Sequence, residues 1–362
     1  MTPWQIPRPE PDFSRLEQVF WLRGEPDRVP FIELYADPEP IGQFLGRSIP
    51  EFCLDPPEAF EAYHSGALEF FYRLGYDYVP CRVRAFQPPG WLESEDTTED
   101  SNQPRVWAQE GEGVVTNWAE CERYPWPRIE DVDFSAVEYN VKHMPDGMKT
   151  IVHTWGVFEL PMWLMGMETY FHALYDQPDL VEAIYERVGE IVLGVCRQAA
   201  ELDGVGAVFL GDDLGFKSGT FINPDLLRKY VFPWYKRIAD AVHCNGLPLL
   251  LHSCGNLENV MDDLIETVGI NAKHSYEDTF LSAPEAKRLY GDQIAILGGV
   301  DMDVLCRTSE NELRAYVRNV LDCCMPGGGY ALGSGNTITN YVPLKNYLIM
   351  LEEGYNYGRN SR

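Results

Sequence analysis

The sequence predicts a (β/α)8 barrel, also called a TIM barrel, that spans residues 1–362 as a single domain. Short β-branched or aliphatic runs alternate with long amphipathic segments, which is typical of parallel strands joined by crossover helices. Eight such runs favour the barrel over a doubly wound open sheet, whose similar alternation has fewer strands. The predicted strands are Val29–Leu34, Tyr76–Pro80, Thr150–Trp155, Ala207–Gly211, Leu247–His252, Gly269–His274, Ile294–Gly298 and Gly329–Leu332.

Helical segments separate these strands, and several begin with a proline start signal such as Asn-Pro or Gln-Pro. The length of 362 residues suits one unit of this kind, because α/β barrels commonly occupy about 250 residues or more. The predicted helices are Pro57–Leu74, Pro178–Leu202, Pro224–Cys244, Leu257–Val268 and Glu310–Cys323.

Residues 84–139 interrupt the alternation between the second and third predicted strands. They contain 13 acidic residues and 4 basic ones, a net charge of −9, together with Trp91, Trp107, Trp118 and Trp126. We interpret this segment as an inserted hairpin with flexible acidic flanks around Glu93–Gln103, lying over one end of the barrel. It is either a solvated loop whose tryptophans pack on the barrel wall, or a lid or partner-docking surface.

The charge of the chain excludes several classes of partner. With 56 acidic and 29 basic residues, the net charge is −27, which argues against binding to nucleic acid and to anionic membrane surfaces. The sequence has no apolar run of bilayer length and no secretory signal at its start. Its 9 scattered cysteines indicate reduced thiols, so we expect a cytoplasmic protein. The sequence does not determine the oligomeric state, and a homodimer is one of the alternatives.

Polar side chains follow seven of the eight predicted strands. We expect them to converge, because the carboxyl ends of barrel strands form the active-site mouth. The adjacent acids Asp212 and Asp213 face opposite ways at a strand end, so one lines the mouth while the other caps a helix or binds a backbone amide. The candidate catalytic residues are Asp212, Asp213 and Asp301, and the candidate substrate contacts are Glu33, Tyr35, His153, Trp155, Tyr276 and Asn336.

The sharpest local pattern is His252-Ser-Cys254-Gly255 at the end of an apolar run. Residues i and i+2 of a strand share a face, so the imidazole and the thiol can chelate a cation such as Zn²⁺. The alternative is a buried core histidine beside an inert cysteine. Glu277, just past the next strand, would complete a His/Cys/Glu site with one open position, or it is an ordinary loop carboxylate. His274 is a less favoured competing ligand.

With these motifs assembled, the chain resembles the uroporphyrinogen decarboxylase superfamily, and within it the zinc methyltransferases that work with corrinoid proteins. The opening Arg15-Leu and Gly24-Glu-Pro-Asp27-Arg-Val-Pro30 also looks like that of the family. The motifs that carry the resemblance are Gly211-Asp-Asp-Leu-Gly215, Asn223-Pro, Phe232-Pro233, His252-Ser-Cys254-Gly255, Gly298-Gly-Val-Asp301, Pro326-Gly-Gly-Gly-Tyr330 and Pro343-Leu-Lys-Asn346.

The resemblance implies a zinc-dependent methyltransferase that moves a methyl group between a small methylated substrate and a corrinoid protein. The implied zinc ligands are His252, Cys254 and Glu277, since related cobalamin-independent methionine synthases carry a glutamate near the last of these positions. Coenzyme M members have a cysteine where this chain has Asn336. The chain has no Asp-x-His-x-x-Gly motif, so the corrinoid is expected on a partner protein.

Two alternatives remain open. One is a decarboxylase acting on a substrate less anionic than uroporphyrinogen, and the other is a non-catalytic barrel that binds a small molecule. True decarboxylases of the family carry an Arg-Gln-Ala-Gly-Arg segment past the first strand, whereas Ile32–Pro38 contains no arginine. This difference and the overall acidity favour a neutral or cationic small substrate over a polycarboxylate.

Overall fold

The computed structural model describes residues 4–6, 8–51, 57–86, 91–94, 105–108 and 111–360. Within these residues the chain forms a mixed α/β fold built on one large parallel sheet. In chain order the strands are β1 Tyr78–Arg82, β2 Trp91–Ser94, β3 Arg105–Ala108, β4 Lys149–Trp155, β5 Val205–Gly211, β6 Gly215–Phe216, β7 Gly219–Thr220, β8 Leu249–His252, β9 Ala272–His274, β10 Ala295–Leu297 and β11 Tyr330–Ala331.

Seven of these strands form the main sheet, in the spatial order β1-β4-β5-β8-β9-β10-β11, and every neighbouring pair is parallel. The spatial order follows the chain order, as in a singly wound β/α fold. All seven residues of β5 are buried, which explains its continuous apolar run in the sequence. The sheet therefore delivers the carboxyl ends of successive strands to one edge.

Helices connect the strands and cover the sheet. None of those described has the length and apolar character needed to cross a membrane. The helices are α1 Ser14–Phe20, α2 Pro38–Leu45, α3 Pro57–Arg73, α4 Trp118–Arg123, α5 Ser135–His143, α6 Glu159–Met165, α7 Met167–Asp176, α8 Pro178–Glu201, α9 Pro224–Tyr230, α10 Phe232–Cys244, α11 Ala283–Tyr290, α12 Met302–Arg307, α13 Glu310–Cys324 and α14 Leu344–Asn360, with 3-10 turns at Ile129–Asp131 and Glu258–Val260 and a π-helical turn at Asp263–Val268.

Two of the predicted helices differ from those observed. The segment predicted as one helix, Pro224–Cys244, is divided into α9 and α10. Pro233 accounts for the break, because proline lacks an N–H and its ring clashes with the carbonyl four residues earlier, so it favours the first turn of a new helix. The predicted helix Leu257–Val268 consists of the 3-10 turn and the π-helical turn.

The first predicted strand, Val29–Leu34, is not one of the ladder strands. It contacts the β11 edge through an isolated parallel bridge from Phe31 to Leu332, and the Ile32 N–H donates to the Leu332 carbonyl at 2.9 Å. Towards the β1 edge its recorded contacts involve side chains: the Phe31 and Tyr76 rings lie 5.6 Å apart, and the Glu33 N–H donates to the Tyr78 hydroxyl at 2.7 Å. Within the described residues, the main sheet thus has seven strands where the sequence predicted eight.

The acidic segment contains an antiparallel pair, β2 and β3, with Trp91 opposite Ala108. The N–H groups of Val114 and Val115 both donate to the Leu164 carbonyl of α6, at 2.7 and 2.8 Å, so this part of the segment packs against the helix after β4. Trp118 is 49% exposed, and the predicted acidic flank falls largely outside the described residues.

Candidate functional site

The carboxyl ends of β5, β8 and β9 bring the candidate metal ligands together. His252 is the last residue of β8 and is in register with Gly211 of β5 and with His274 of β9. Asp213, His252 and Cys254 each offer one ligand atom, and these atoms all lie within 4.8 Å of one another. We refer to these three residues as the triad.

The distances within the triad fit a tetrahedral metal site. His252 Nε2 lies 3.5 Å from Cys254 Sγ and 3.7 Å from Asp213 Oδ1. Two ligands bound at about 2.0–2.3 Å and at a tetrahedral angle are roughly 3.5 Å apart, so the observed separations leave room for an ion between them. One nitrogen, one sulfur and one oxygen donor form a mixed set of the kind that zinc accepts.

A second histidine determines which nitrogen of His252 faces the triad. His274 Nε2 lies 3.1 Å from the Ser334 carbonyl, which can only accept, so we assign the proton of His274 to Nε2. His274 Nδ1 is then an acceptor, and His252 Nδ1 donates to it at 2.8 Å. Burial lowers the pKa of His252 to about 3, so its ring is neutral and its Nε2 lone pair is directed at the other two ligands.

The carboxyl of Glu33 fixes the position of Ser334, which in turn orients His274. This carboxyl accepts the Ser334 N–H at 2.8 Å and the Ser334 hydroxyl at 2.5 Å, which fixes the carbonyl that His274 contacts. Glu33 is 1% exposed, and burial raises its pKa to about 8. The sequence predicted Glu33 as a substrate contact; in the structure its carboxyl contacts Ser334, and a contact with substrate stays a prediction.

The sulfur of Cys254 receives two further polar contacts. The Ser275 hydroxyl donates to it at 3.4 Å and the Asn336 amide at 3.5 Å. Ser275 has a φ of +79°, a left-handed conformation that is rare for serine and that aims its hydroxyl at the site. Burial, together with the Asp213 carboxylate, raises the pKa of the Cys254 thiol. Both donors stabilise a thiolate, so they favour the form of Cys254 that binds a cation.

Lys273 is a component of the site that was not predicted from the sequence. It is 2% exposed, and its Nζ donates to the carbonyls of Ser253 at 3.1 Å, His274 at 3.3 Å and Ser275 at 2.8 Å. Burial lowers the pKa of Lys273 to about 8. The available signal was a lysine within a short buried strand, where charged groups are rare unless they are partnered.

The two adjacent aspartates divide their roles. Asp212 is buried and accepts three hydrogen bonds, from the Phe158 N–H at 2.7 Å, the Glu159 N–H at 2.8 Å and the Tyr235 hydroxyl at 2.6 Å. Burial raises its pKa to about 6. These are contacts of a positioning residue, and a direct catalytic role for Asp212 stays a prediction. Asp213 belongs to the triad, and its Oδ1 also accepts the Cys254 N–H at 2.8 Å.

Three other predicted residues lie outside the triad. Glu277 is not a member of the group within 4.8 Å, and Asp213 takes the third place that the sequence predicted for it. Asp301 caps α12, because its Oδ1 accepts the Asp303 N–H at 2.8 Å, and its Oδ2 accepts the Asp278 N–H at 3.0 Å. Tyr276 is 1% exposed, with its ring 4.5 Å from Lys273 Nζ.

A second cluster forms at the ends of β1 and β4. The Arg82 guanidinium lies over the Tyr35 ring at 3.6 Å, and the Arg84 guanidinium over the Trp155 ring at 4.5 Å. His153 is paired in register with Arg82. The structure thus unites three predicted substrate contacts with two arginines that the sequence analysis missed, because the predicted strand ended at Pro80. The alternating Arg-Val-Arg pattern after it was the available signal.

Comparisons with known proteins identify the family of the chain. A family model described as uroporphyrinogen decarboxylase (URO-D) matches residues 22–357. A uroporphyrinogen decarboxylase of Coxiella burnetii is 22% identical over 259 residues, 67% of this chain and 68% of that protein. The methylcobamide:CoM methyltransferase MtbA of Methanosarcina mazei is 24% identical over 203 residues, 56% of each chain.

Among solved structures, a methyltransferase from Methanosarcina mazei matches with a TM-score of 0.72 and 18% identity, over 96% of this chain and 99% of that chain. At this level of identity the likeness shows a shared fold. The family resemblance inferred from the sequence motifs is confirmed by the family match, which covers most of the chain. The chain belongs to the uroporphyrinogen decarboxylase family.

Proposed function

We propose that this protein is a zinc-dependent methyltransferase that moves a methyl group between a small methylated substrate and the corrinoid of a separate partner protein. The observation that carries the proposal is the triad, in which a neutral His252 presents its Nε2 lone pair to Asp213 and Cys254. Among the relatives, one is named as a methylcobamide:CoM methyltransferase, which supports this branch of the family.

Asp213, His252 and Cys254 would hold the zinc ion. When bound, zinc lowers the pKa of a coordinated thiol, phenol or water and stabilises a leaving anion. His274 keeps His252 in the tautomer that ligates, and Ser275 and Asn336 donate to the Cys254 sulfur.

Glu277 remains a candidate fourth ligand. Burial, with the nearby carboxylates of Asp301 and Asp213, raises its pKa. When neighbouring groups disfavour the ionised form of a carboxyl group, a cation bound beside it stabilises that form most strongly. Glu277 would therefore be available to hold the ion together with the triad, whose three donors leave one position for it or for the substrate.

We also infer that residues 29–34 close the main sheet into an eight-stranded barrel. The paired hydrogen bonds between this segment and Leu332, both 2.9 Å, and the ion pair of Arg28 with Asp77 at 2.8 Å support closure at both edges. Slow hydrogen exchange of the Ile32 amide, comparable to that of amides within β5, is the expected result. Exchange at the rate of an exposed loop would contradict closure.

A decarboxylase is the second candidate, because several relatives are uroporphyrinogen decarboxylases and because Arg82 and Arg84 offer positive charge for carboxylates. The segment Ile32–Pro38, which lacks arginine, favours methyl transfer over decarboxylation of a tetrapyrrole.

Elemental analysis of the purified protein tests the proposal. We expect one zinc ion per chain in the wild type and in His172→Ala, an exposed control, and its loss in His252→Ala, Cys254→Ala and Asp213→Ala. Methyl transfer is then followed spectroscopically as conversion of cob(I)alamin to methylcobalamin with methoxyaromatic and methylamine donors. A wild type that binds no zinc would exclude the proposal, and coproporphyrinogen formation from uroporphyrinogen would favour the decarboxylase.

A further inference from the structure

We propose that Arg82, Arg84 and His153 form an anion-binding subsite and that the substrate is a small carboxylate that carries a methylated heteroatom. The assignment of the bound carboxylate as methyl donor rests on the proposed function, whereas anion binding at this place does not. It concerns a cluster separate from the triad. It changes the expectation of a neutral or cationic substrate, which was drawn from the overall acidity and from the absence of arginine in Ile32–Pro38.

In the part of the chain that the structure describes, neither arginine has an anionic partner. Among the described residues, no carboxylate lies within ion-pairing distance of either guanidinium, and the Nε atoms of both are buried without a hydrogen-bond partner. Both side chains are half-buried, and an unpaired cation that loses part of its hydration carries a free-energy cost. A chain with 56 acidic residues has abundant carboxylates to pair them, so two unpaired arginines at the end of one strand indicate a ligand.

Aromatic rings hold both guanidiniums in place. Arg82 lies over Tyr35 at 3.6 Å, and Arg84 lies over Trp155 at 4.5 Å. Stacking uses the faces of the guanidinium planes and leaves their N–H edges available, which is the geometry that binds a carboxylate through two parallel hydrogen bonds. Because the side chains are held before the anion arrives, less conformational entropy is lost on binding.

His153 supplies the third polar group. It is 5% exposed, and neither of its ring nitrogens has a hydrogen-bond partner. Burial and the two neighbouring arginines lower its pKa, so the ring is neutral and offers one N–H donor and one acceptor. A buried imidazole with both nitrogens unused is rare in a folded protein unless a ligand completes it.

Both guanidiniums of the subsite are charged at neutral pH. Burial disfavours the charge of Arg82, while nearby tyrosines and the carboxylates of Asp37 and Glu51 raise its pKa. For Arg84, burial and the charge of Arg82 lower the pKa to about 10, which leaves its side chain protonated at pH 7.

The subsite lies along the sheet from the triad. Arg82 is in register with His153 on the next strand, while Gly211 on the following strand is in register with His252. A β-carbon placed on Gly211 would lie 2.6 Å from His153 Nε2, so His153 stands between the arginines and the triad. A molecule with a carboxylate at one end and a methylated oxygen, nitrogen or sulfur at the other fits this order of groups.

Isothermal titration calorimetry of the purified protein, whose zinc content is measured in parallel, tests the subsite. The probes are benzoate, inorganic phosphate and methanesulfonate, each titrated at the same ionic strength against a chloride control. We expect benzoate to bind most tightly, and Arg82→Gln and Arg84→Gln each to weaken it by about 10-fold or more, because a charged hydrogen bond is lost. Arg237→Gln removes the same charge from an exposed pair with Glu190 and should leave binding unchanged.

The outcomes separate the two proposals. If no probe binds more tightly than chloride, or if Arg237→Gln weakens binding as much as the two subsite variants, the subsite is excluded. If phosphate or methanesulfonate binds most tightly, the anion-binding subsite is supported, but the assignment of the substrate as a carboxylate is excluded. Arg-dependent binding in a wild type that holds no zinc would exclude the methyltransferase and leave the subsite intact. If a glutamine variant does not fold, Arg82→Lys and Arg84→Lys keep the charge but lose the planar fork, and weaker benzoate binding is expected.

Discussion

At the residue scale, His274 determines how His252 can act. Its Nδ1 accepts from His252 Nδ1 at 2.8 Å, and its Nε2 donates to the Ser334 carbonyl at 3.1 Å. Replacing His274 with alanine leaves the His252 N–H buried and unpaired and allows the other tautomer. Loss of such a supporting partner weakens metal binding by roughly 10–100-fold. Competition with a chromophoric zinc chelator measures this change.

The control for this substitution is His172→Ala, at an exposed histidine on α7, which should bind zinc like the wild type. An unchanged zinc affinity in His274→Ala would show that the imidazole pair does not set the tautomer. Complete loss of zinc, as expected for His252→Ala, would instead make His274 a direct ligand.

Glu33 makes the stability of the protein depend on pH. Burial raises its folded-state pKa to about 8, against an ordinary value of 4.5. Between these values the unfolded chain has released its proton and the folded chain has kept it. The stabilising contribution of the protonated carboxyl is therefore complete below about pH 4.5 and is lost by about 1.4 kcal/mol per pH unit as the pH rises towards 8.

Glu33→Gln mimics the protonated carboxyl and removes this dependence. We expect the free energy of unfolding of the variant, relative to the wild type, to rise by about 1–3 kcal/mol between pH 5.5 and 7.5. Urea denaturation at both pH values provides the measurement, and taking the difference between the two proteins cancels the titration of other groups. A difference that is the same at both pH values would place an ionised Glu33 in the folded state.

At the element scale, the exit from β8 depends on Gly255. Its φ is +86°, and a β-carbon there would lie 2.2 Å from the backbone carbon of Gly215. Gly246 has a similar φ of +72° with nothing within 4 Å of the added carbon. Alanine at Gly246 should cost roughly 1–2 kcal/mol for its left-handed conformation. Alanine at Gly255 should cost more, because the backbone must also move apart.

Because Gly255 follows Cys254, its substitution should also weaken zinc binding, whereas Gly246→Ala should not affect it. Thermal or urea unfolding gives the stability of both variants, and chelator competition gives their zinc affinity. Equal stability losses in the two variants would mean that the contact with Gly215 is relieved without cost.

The elements that the sequence predicted well are those with strong local signals. All seven ladder strands coincide with predicted apolar runs, because strands buried on both faces need nearly continuous apolar residues. The segment Val29–Leu34 has the same composition, but its pairing depends on contacts with distant residues such as Leu332. Pro233 was the sequence signal for the break between α9 and α10. The signal was ambiguous, because proline also fits the first turn of a helix within a longer helical pattern.

The candidate site was predictable where spacing alone brings groups together. His252 and Cys254 are two residues apart on a strand, so their convergence follows from the period of the strand. Asp213 joins them through the register between β5 and β8, which a single sequence does not specify. Glu277 was preferred because the family comparison suggested it. Arg82 was overlooked because strand boundaries are uncertain by a few residues.

At the scale of the whole molecule, the net charge of −27 opposes folding through repulsion among the acids. Salt shortens the range of this repulsion, since the Debye length falls to about 10 Å at 0.1 M. Raising NaCl from about 20 to about 200 mM at pH 7.5 should therefore raise the melting temperature of the protein by a few degrees, at roughly 2 °C per kcal/mol of repulsion relieved. Near pH 5.5, closer to the isoelectric point of about 4.5, the same addition should give a smaller rise. Differential scanning fluorimetry at both pH values measures these changes. Repeating it with choline chloride separates screening from specific binding of sodium. A melting temperature that falls with salt at pH 7.5 would mean that attraction within surface ion pairs outweighs the repulsion among the acids.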